Sequence, residues 1–373
     1  MGKGLEDVIA AQTSISDIDG KQGRLFYVGY DIHDLAPNCS FEEIIFLLHD
    51  LRLPNTAELE DLTDQLAHER DPHAFIMDLM PTMVKQTSPM SMLRTTVSAM
   101  SAYDPDGWLP PQDELASKRK AIRLIATIPT VIATYDRLRN GNEIVRPNPK
   151  FGHAGNLLWM LTGVEPTDDD ARILDICLVL HADHTMNAST FAARVAASTL
   201  SDIHSACTAA IATLKGPLHG GANEAVMKML LEIDDVARAE EYIKQKLAHR
   251  EKIMGFGHRV YKTEDPRATH LRALSKQVGE ARGETKWYEI SRKIEEVVMQ
   301  EKGLYPNVDF YAASVYYSLG IPVDLFTPVF AASRTAGWTA HVREQYSDNR
   351  LIRPESDYVG PRNRTWVPIE ERG

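Results

Sequence analysis

The stretch DARILDICLVLHADHTMNASTFAARVAASTLSDIHSACTAAIATL, residues 170–214, decides the class of fold. Ala, Leu, Ile and Val dominate it, and no alternation of apolar and polar residues runs through it. Strands show a period of two and helices a period near 3.6, so this stretch reads as long buried helices. Helical patterning recurs on both sides. Ser40 followed by Glu43 fits a capping box, with Phe41, Ile44, Ile45 and Leu48 at helical spacing behind it. Asn55, after Pro54, is the expected N-cap of a helix with Leu59, Leu62 and Leu66 on one face. Residues 92–100 and 116–128 read as helical, divided by the Pro- and Gly-containing stretch 104–111, and Pro147 and Pro149 mark a loop. Residues 235–249, 284–301 and 323–346 complete the helical set. In the second of these, Trp287, Ile290, Ile294, Val297 and Val298 form the apolar stripe. The one clear β signal is residues 14–30, where two short runs flank the loop Asp19-Gly20-Lys21-Gln22-Gly23. The expectation is an all-α fold with strand confined to the first thirty residues and a polar tail from Ser347.

Composition bounds the rest. A single core stops growing near ~250–300 residues, so a chain of 373 residues is expected to form one large and one smaller domain. With 43% hydrophobic residues it is neither disordered nor fibrous. Its 41 Lys and Arg against 52 Asp and Glu leave a net charge of −11, a poor balance for general binding of nucleic acid or anionic membrane. Any anionic ligand must then be met by a local cluster of Arg, Lys or His. Cys39, Cys177 and Cys207 are odd in number and far apart, which suggests a reducing compartment rather than a disulfide framework. No window approaches ~18 uninterrupted apolar residues, so no membrane span is expected. The N-terminal residues carry early acidic side chains and no apolar signal core, and no Ser or Thr stands where N-myristoylation needs one.

Four segments differ from ordinary helix-packing sequence. In the first, His181-Ala-Asp-His184-Thr-Met-Asn187, polar groups sit inside an apolar stretch, where burial is costly without partners. His181 and His184 have the i,i+3 spacing of metal ligands, but no third ligand completes a set, and a satisfied hydrogen-bond network accounts for them as well. In the second, Lys215-Gly-Pro-Leu-His219-Gly-Gly-Ala-Asn-Glu224, the Gly pair permits a tight turn into a helix. His219 lies just before that helix, whose dipole disfavours imidazolium, so a neutral His able to donate one N–H is expected. A plain helix connection reads equally well. In the third, residues 253–267, Gly255 and Gly257 are expected to expose backbone amides, and Lys252, Arg259, Lys262 and Arg267 supply cations. This suits a phosphorylated or carboxylated ligand. It is not a dinucleotide fingerprint, since Gly-Phe-Gly lacks the third Gly and follows a helix. In the fourth, Tyr305-Pro-Asn-Val-Asp309-Phe-Tyr311, an acid lies among apolar residues at a helix start, where an N-cap is the commoner role. Downstream, Arg334 sits in an apolar helical stretch and calls for a carboxylate from protein or ligand.

Taken together, GPLHGGANEAV, IMGFGHRVYKTEDPR, PNVDF and SRTAGWTAH resemble the citrate synthase family over nearly the whole chain. The resemblance is to the short bacterial and archaeal form. It implies an almost entirely helical homodimer with a large domain, residues 1–220 and 321–373, and a smaller mobile one, residues 221–320. It implies catalytic roles for His219, His258 and Asp309, and oxaloacetate contacts from His184, Asn187, Arg267, Arg334 and Arg353. Arg353 would come across the dimer interface. Ile253, Met254, Gly255, Phe256 and Gly257, with Lys262, match the coenzyme A-binding segment. The implied reaction joins acetyl-CoA to oxaloacetate and hydrolyses citryl-CoA, with no metal and no permanently bound cofactor, in the cytoplasm. 2-Methylcitrate synthase, which uses propionyl-CoA on the same catalytic set, is the nearest alternative. A non-catalytic acyl-CoA-binding relative is a remote one, against which the intact His219, His258 and Asp309 count.

Overall fold

The computed structural model describes residues 3–5 and 8–372; the early acidic residues Glu6 and Asp7 lie outside the described residues. Among the described residues the chain forms sixteen α-helices and one antiparallel sheet. The sheet comprises β1 (Ser16–Asp19), β2 (Arg24–Tyr27) and β3 (Tyr30–Asp31), with Ser16 opposite Tyr27 and Asp19 opposite Arg24. The expected hairpin is therefore present. Gly23 supplies the left-handed residue its turn requires, at φ 68°.

The helices follow in order. The first seven are α1 (Ile32–Asn38), α2 (Phe41–Asp50), α3 (Thr56–His68), α4 (Ala74–Met83), α5 (Pro89–Met100), α6 (Glu114–Arg139) and α7 (His153–Thr162). Next come α8 (Asp168–His181), α9 (Ala188–Ser198), α10 (Ile203–Leu214), α11 (Ala222–Ile233) and α12 (Val236–Ala248). The last four are α13 (Pro266–Arg282), α14 (Lys286–Lys302), α15 (Val308–Ser318) and α16 (Phe326–Ser347). Both expected N-caps close as full capping boxes, Ser40 with Glu43 and Asn55 with Glu58. All five residues of the α14 stripe are buried.

Three expectations are corrected. Residues 170–214 are not long helices but three shorter ones. Asn187 caps α9 and Asp202 caps α10, each accepting backbone N–H groups of the next turn, and these local bonds end the preceding helix. Thr185, at φ 47°, lies in the first break. The helix expected over 116–128 runs on through Pro129 to Arg139. Nearly every residue from Leu124 to Asp136 is buried, so packing outweighs the one backbone bond that Pro removes. Finally, α1, α4, α7 and α13 escape the periodicity reading: α1 and α4 are short and carry an internal Pro, α7 is buried almost all round, and α13 has no sharply one-sided apolar face.

At the centre of the core is α16, buried along nearly its whole length and packed by α2, α5, α6, α8, α9 and α10. Helices α11 to α15 pack largely on one another; α13 meets α8 and α1, and α11 meets α16. Where α16 crosses the break after α8, Gly337 N–H donates to the Ala182 carbonyl at 3.2 Å. A Cβ at 337 would lie 2.5 Å from Asp183 Oδ1. Asp183 is fully buried, and its Oδ2 accepts from Thr185 N–H at 3.0 Å, from His341 Nε2 at 3.3 Å and from the Ser16 hydroxyl. From β2, the Tyr27 hydroxyl takes the Asp183 N–H at 3.2 Å and lies 3.0 Å from the Asp183 carbonyl. The tail beyond α16 is irregular up to residue 368, starts against Ser198 through Asn349 and Ile352, and leaves Val359 and Trp366 exposed. Among the described residues no helix is long and apolar enough to cross a membrane.

Gly337→Ala is expected to lower the unfolding free energy by ~1–3 kcal/mol, the usual cost of overpacking a core. Thermal denaturation reads this directly. An unchanged melting temperature would show that α16 can move off the break.

Candidate active site

The end of α8, the start of α15 and the loop between α12 and α13 converge. His184, Tyr261 and His258 form a ring cluster. His184 and His258 are edge-to-face at 5.1 Å between centroids, Tyr261 is 4.6 Å from His258, and its hydroxyl lies 3.2 Å from His184 Nε2. His258 Nδ1 accepts the N–H groups of Val260, at 3.0 Å, and Tyr261, at 3.2 Å. The proton of the neutral ring is thus on Nε2. His219, at the turn before α11, is set the opposite way. Its Nε2 accepts Ser189 N–H at 3.3 Å and lies 2.8 Å from the Ser189 hydroxyl, which leaves Nδ1–H as the donor.

Burial first, and the Arg334 charge second, hold the His219 pKa down at about 4. Burial with Arg267 does the same for His258, also about 4. His184 lies well below the ordinary value for the same two reasons. The neutrality expected of His219 is therefore present, but its leading cause is loss of water rather than the helix dipole.

Asp309 is the second residue of α15. Asn307 is the N-cap, its side chain accepting Asp309 N–H at 3.0 Å, so Asp309 is not the cap. The carboxylate has no hydrogen-bond partner among the described residues. Burial raises its pKa to about 7, helped by Asp265 and opposed by Arg267 and Arg334. Arg267 and Asp265 are both buried and form a two-pronged pair, Nε to Oδ1 at 2.9 Å and Nη2 to Oδ2 at 2.7 Å. Arg267 is thus no loose loop cation, as the sequence suggested. Arg334 Nε donates to the His181 carbonyl at 2.6 Å, and its guanidinium lies over Phe330 at 4.7 Å. No carboxylate pairs with it among the described residues, and burial lowers its pKa to about 10.

Residues 253–257 are stitched to the chain ahead of α15. Gly257 N–H donates to the Tyr305 carbonyl and Asn307 N–H to the Gly255 carbonyl, each at 2.9 Å. The Gly257 amide is therefore taken, not exposed. Gly255, at φ 83°, is packed so closely that a Cβ would meet Phe310 and Val226 at 2.8 Å. Ile253, Met254 and Phe256 are half-buried on this edge, and Lys262 is exposed. Two expected residues stand apart. The Asn187 side chain is committed to capping α9, with Oδ1 accepting from Ser189 and Thr190 N–H at 3.1 Å. Arg353 is exposed on the tail. His181 and His184 do not act together: α8 ends between them, His181 Nδ1 bonds the Cys177 carbonyl at 2.7 Å, and no metal-ligand group forms among the described residues.

Four residues escape the sequence reading, the first being Tyr261 of the ring cluster. Ser189 and Trp338, whose indole N–H donates to the Ser189 hydroxyl at 3.1 Å, orient His219 from helices 30 and more residues away. Asp265 caps α13, pairs Arg267 and accepts Val308 N–H at 3.2 Å, so it joins the starts of α13 and α15. Only Asp265 left a signal, an Asp-Pro helix start.

The Asp309 shift has a stability consequence. Unfolded, the carboxyl titrates near ~4; folded, at about 7. Below both values each state holds the proton and nothing is lost. Between them the unfolded chain ionises first and the fold loses stability, and above both the loss is complete. Asp309→Asn is expected to raise the unfolding free energy near pH ~8 and to leave it unchanged near pH ~4. Urea unfolding at the two pH values checks this, and an equal effect at both would show an unshifted carboxyl.

Known proteins match this chain over nearly its whole length. A family model described as the citrate synthase C-terminal domain covers residues 4–355. Citrate synthase 2 of Bacillus subtilis is 54% identical over 371 residues, 99% of each chain. 2-Methylcitrate synthase 1 of Corynebacterium glutamicum is 43% identical over 375 residues, 99% of this chain and 98% of that one. The solved ternary complex of Thermoplasma acidophilum citrate synthase with carboxymethyl coenzyme A and oxaloacetate superposes with a TM-score of 0.94 at 35% identity, covering 100% of this chain and 99% of that one. With its helical core and its paired histidine loops, the chain belongs to the citrate synthase family of acyl-transferring enzymes.

Proposed function

We propose that this chain condenses acetyl-CoA with oxaloacetate and hydrolyses the resulting citryl-CoA to citrate and coenzyme A. The observation that carries this reading is two neutral histidines of opposite tautomer, with the unpaired Asp309 carboxylate on the start of α15, which is hydrogen-bonded to the loop that ends in His258. A thioester methyl is a very weak acid, so its proton leaves only when charge on the carbonyl oxygen is met as it develops. Asp309 takes the proton, and His219 Nδ1–H donates to that oxygen, a contribution of ~2.7–4 kcal/mol by analogy with oxyanion holes. The enol carbon attacks the oxaloacetate ketone while His258 Nε2–H gives its proton to the forming alkoxide. Water then adds to the thioester carbonyl and the C–S bond breaks, releasing the thiol. Arg334, Arg267 through the Nη1 that Asp265 leaves unused, and His184 receive oxaloacetate, and Asn187 joins them only by turning its Nδ2 from Thr190 Oγ1 to the ligand while Oδ1 keeps the α9 cap. Arg353 reaches oxaloacetate from a second copy of the chain. Residues 253–257 and Lys262 face coenzyme A. The enzyme works as a homodimer, and its three buried free cysteines suit the reducing cytoplasm.

Propionyl-CoA is the second substrate to weigh, because a methylcitrate-forming relative matches almost the whole chain. Thiol release with oxaloacetate, comparing the two thioesters, is expected to favour acetyl-CoA. The reverse ratio would make the product 2-methylcitrate. Asp309→Asn is expected to lower turnover by ~10²–10⁴-fold with oxaloacetate binding retained. A parallel loss of binding would argue against a base role. Residues 221–320 are taken as a domain that closes on oxaloacetate about residues 220–221, since His219 and His258 lie on either side of that point. Small-angle scattering is expected to show compaction with oxaloacetate, and an unchanged radius of gyration would rule the closure out.

A further inference from the structure

The N-terminal hairpin has no part in the chemistry, yet it touches both loops that hold the imidazole pair. At its open end, the Ser16 hydroxyl and the Tyr27 hydroxyl grip Asp183, next to His184, and Thr185 N–H donates to Ser16 Oγ at 3.1 Å. At its closed end, the turn lies on the chain that orients His258. Lys262 N–H donates to the Gly20 carbonyl at 2.8 Å. A Cβ on Gly20 would be 3.0 Å from the Val260 carbonyl carbon and closer still to its oxygen. A Cβ on Gly23 would be 2.6 Å from Thr263 Cγ2 and 2.8 Å from the Glu264 carbonyl. Val260 and Tyr261 are the residues whose N–H groups fix His258 Nδ1. The paired strands between the two ends are four residues long, a stiff span of ~13 Å.

We propose that this hairpin is a positioning strut that sets the separation between the His184 loop and the His258 loop, with Gly20 and Tyr27 as its two bearing residues. Gly20 is glycine because the turn must approach the Val260 carbonyl to van der Waals distance. Any side chain there pushes the 260–264 loop outward, turns the two N–H donors off His258 Nδ1 and admits water to the ring. The effect on turnover rests on the proposed function; the effect on His258 does not.

The test uses the full-length protein with ¹³C-labelled histidines, comparing wild type, Gly20→Ala and the surface control Lys21→Ala. In Gly20→Ala the His258 pKa is expected to rise by about one unit or more toward the ordinary value while His219, which the hairpin does not touch, stays put. The oxaloacetate KM is expected to rise, with kcat/KM falling by ~10²-fold, the cost of misplacing a site by about 1 Å. The acetyl-CoA KM, circular dichroism and the Lys21→Ala protein are expected not to change. A Gly20→Ala protein with wild-type His258 titration and oxaloacetate KM overturns the proposal, as does an equal shift of His219 and His258. Should Gly20→Ala not fold, Tyr27→Phe carries the test, since it removes one hydroxyl at constant shape. A raised oxaloacetate KM with an unmoved acetyl-CoA KM supports the strut, and no change in either sinks it. If the wild type releases no thiol with oxaloacetate, the proposed function falls while the His258 titration still decides the strut.

Discussion

The rest of the structure depends on one contact, the approach of the Gly337 backbone in α16 to Ala182 and Asp183 just beyond α8. A buried carboxylate without an arginine is costly unless its lone pairs are met. Here Ser16, Thr185 and His341 meet Oδ2, and burial is outweighed so that Asp183 titrates below its ordinary value. His341 is itself held from behind by Arg194 Nη1 at 3.2 Å, which ties α9 into the same network. Because Oδ2 is met only in this arrangement, with Oδ1 left against Gly337 without a partner among the described residues, α8 stops at His181. The chain turns, and His184 emerges toward His258 instead of continuing round the helix into the core.

Much of this is legible in the sequence, and the boundary of legibility has a physical cause. Helices with one wet face announce themselves: the stripe from Trp287 to Val298, and the capping boxes at Ser40 and Asn55, are local patterns with local causes. Helices buried on all sides lose the contrast on which periodicity relies, so the pattern marks α6 only as far as Ile128 and does not show the breaks within residues 170–214. The site divides in the same way. His219, His258 and Asp309 sit in segments whose glycines and charges look out of place, so motif reading finds them. Ser189, Trp338 and Tyr27 act through partners about 30 to 156 positions distant, and nothing in their own neighbourhoods marks them.

Electrostatics reconciles an acidic chain with anionic substrates. The net charge of −11 is spread over the surface, whereas the site keeps Arg267 and Arg334 beside histidines that burial holds neutral. Arg334 forms no salt bridge among the described residues and donates only to a carbonyl, so part of its guanidinium is free to bond an anion. Asp309 is the mirror case, a half-buried carboxylate with no hydrogen-bond partner among the described residues. Each is unfavourable to folding and useful to chemistry, the usual conflict between stability and activity at a working site.

The register of the hairpin carries an evolutionary consequence. Ser16 stands opposite Tyr27 and Asp19 opposite Arg24. Loss of one residue from a strand turns every following side chain to the other face, so Ser16 or Tyr27 would point away from Asp183. Loss of two preserves the faces but shortens the strand by ~7 Å. Lys21 and Gln22, by contrast, are exposed at the tip and press on nothing. In this element, then, drift can change Lys21 and Gln22 but not Gly20 or Gly23, and insertions and deletions in the strands are barred by the distance the element has to span.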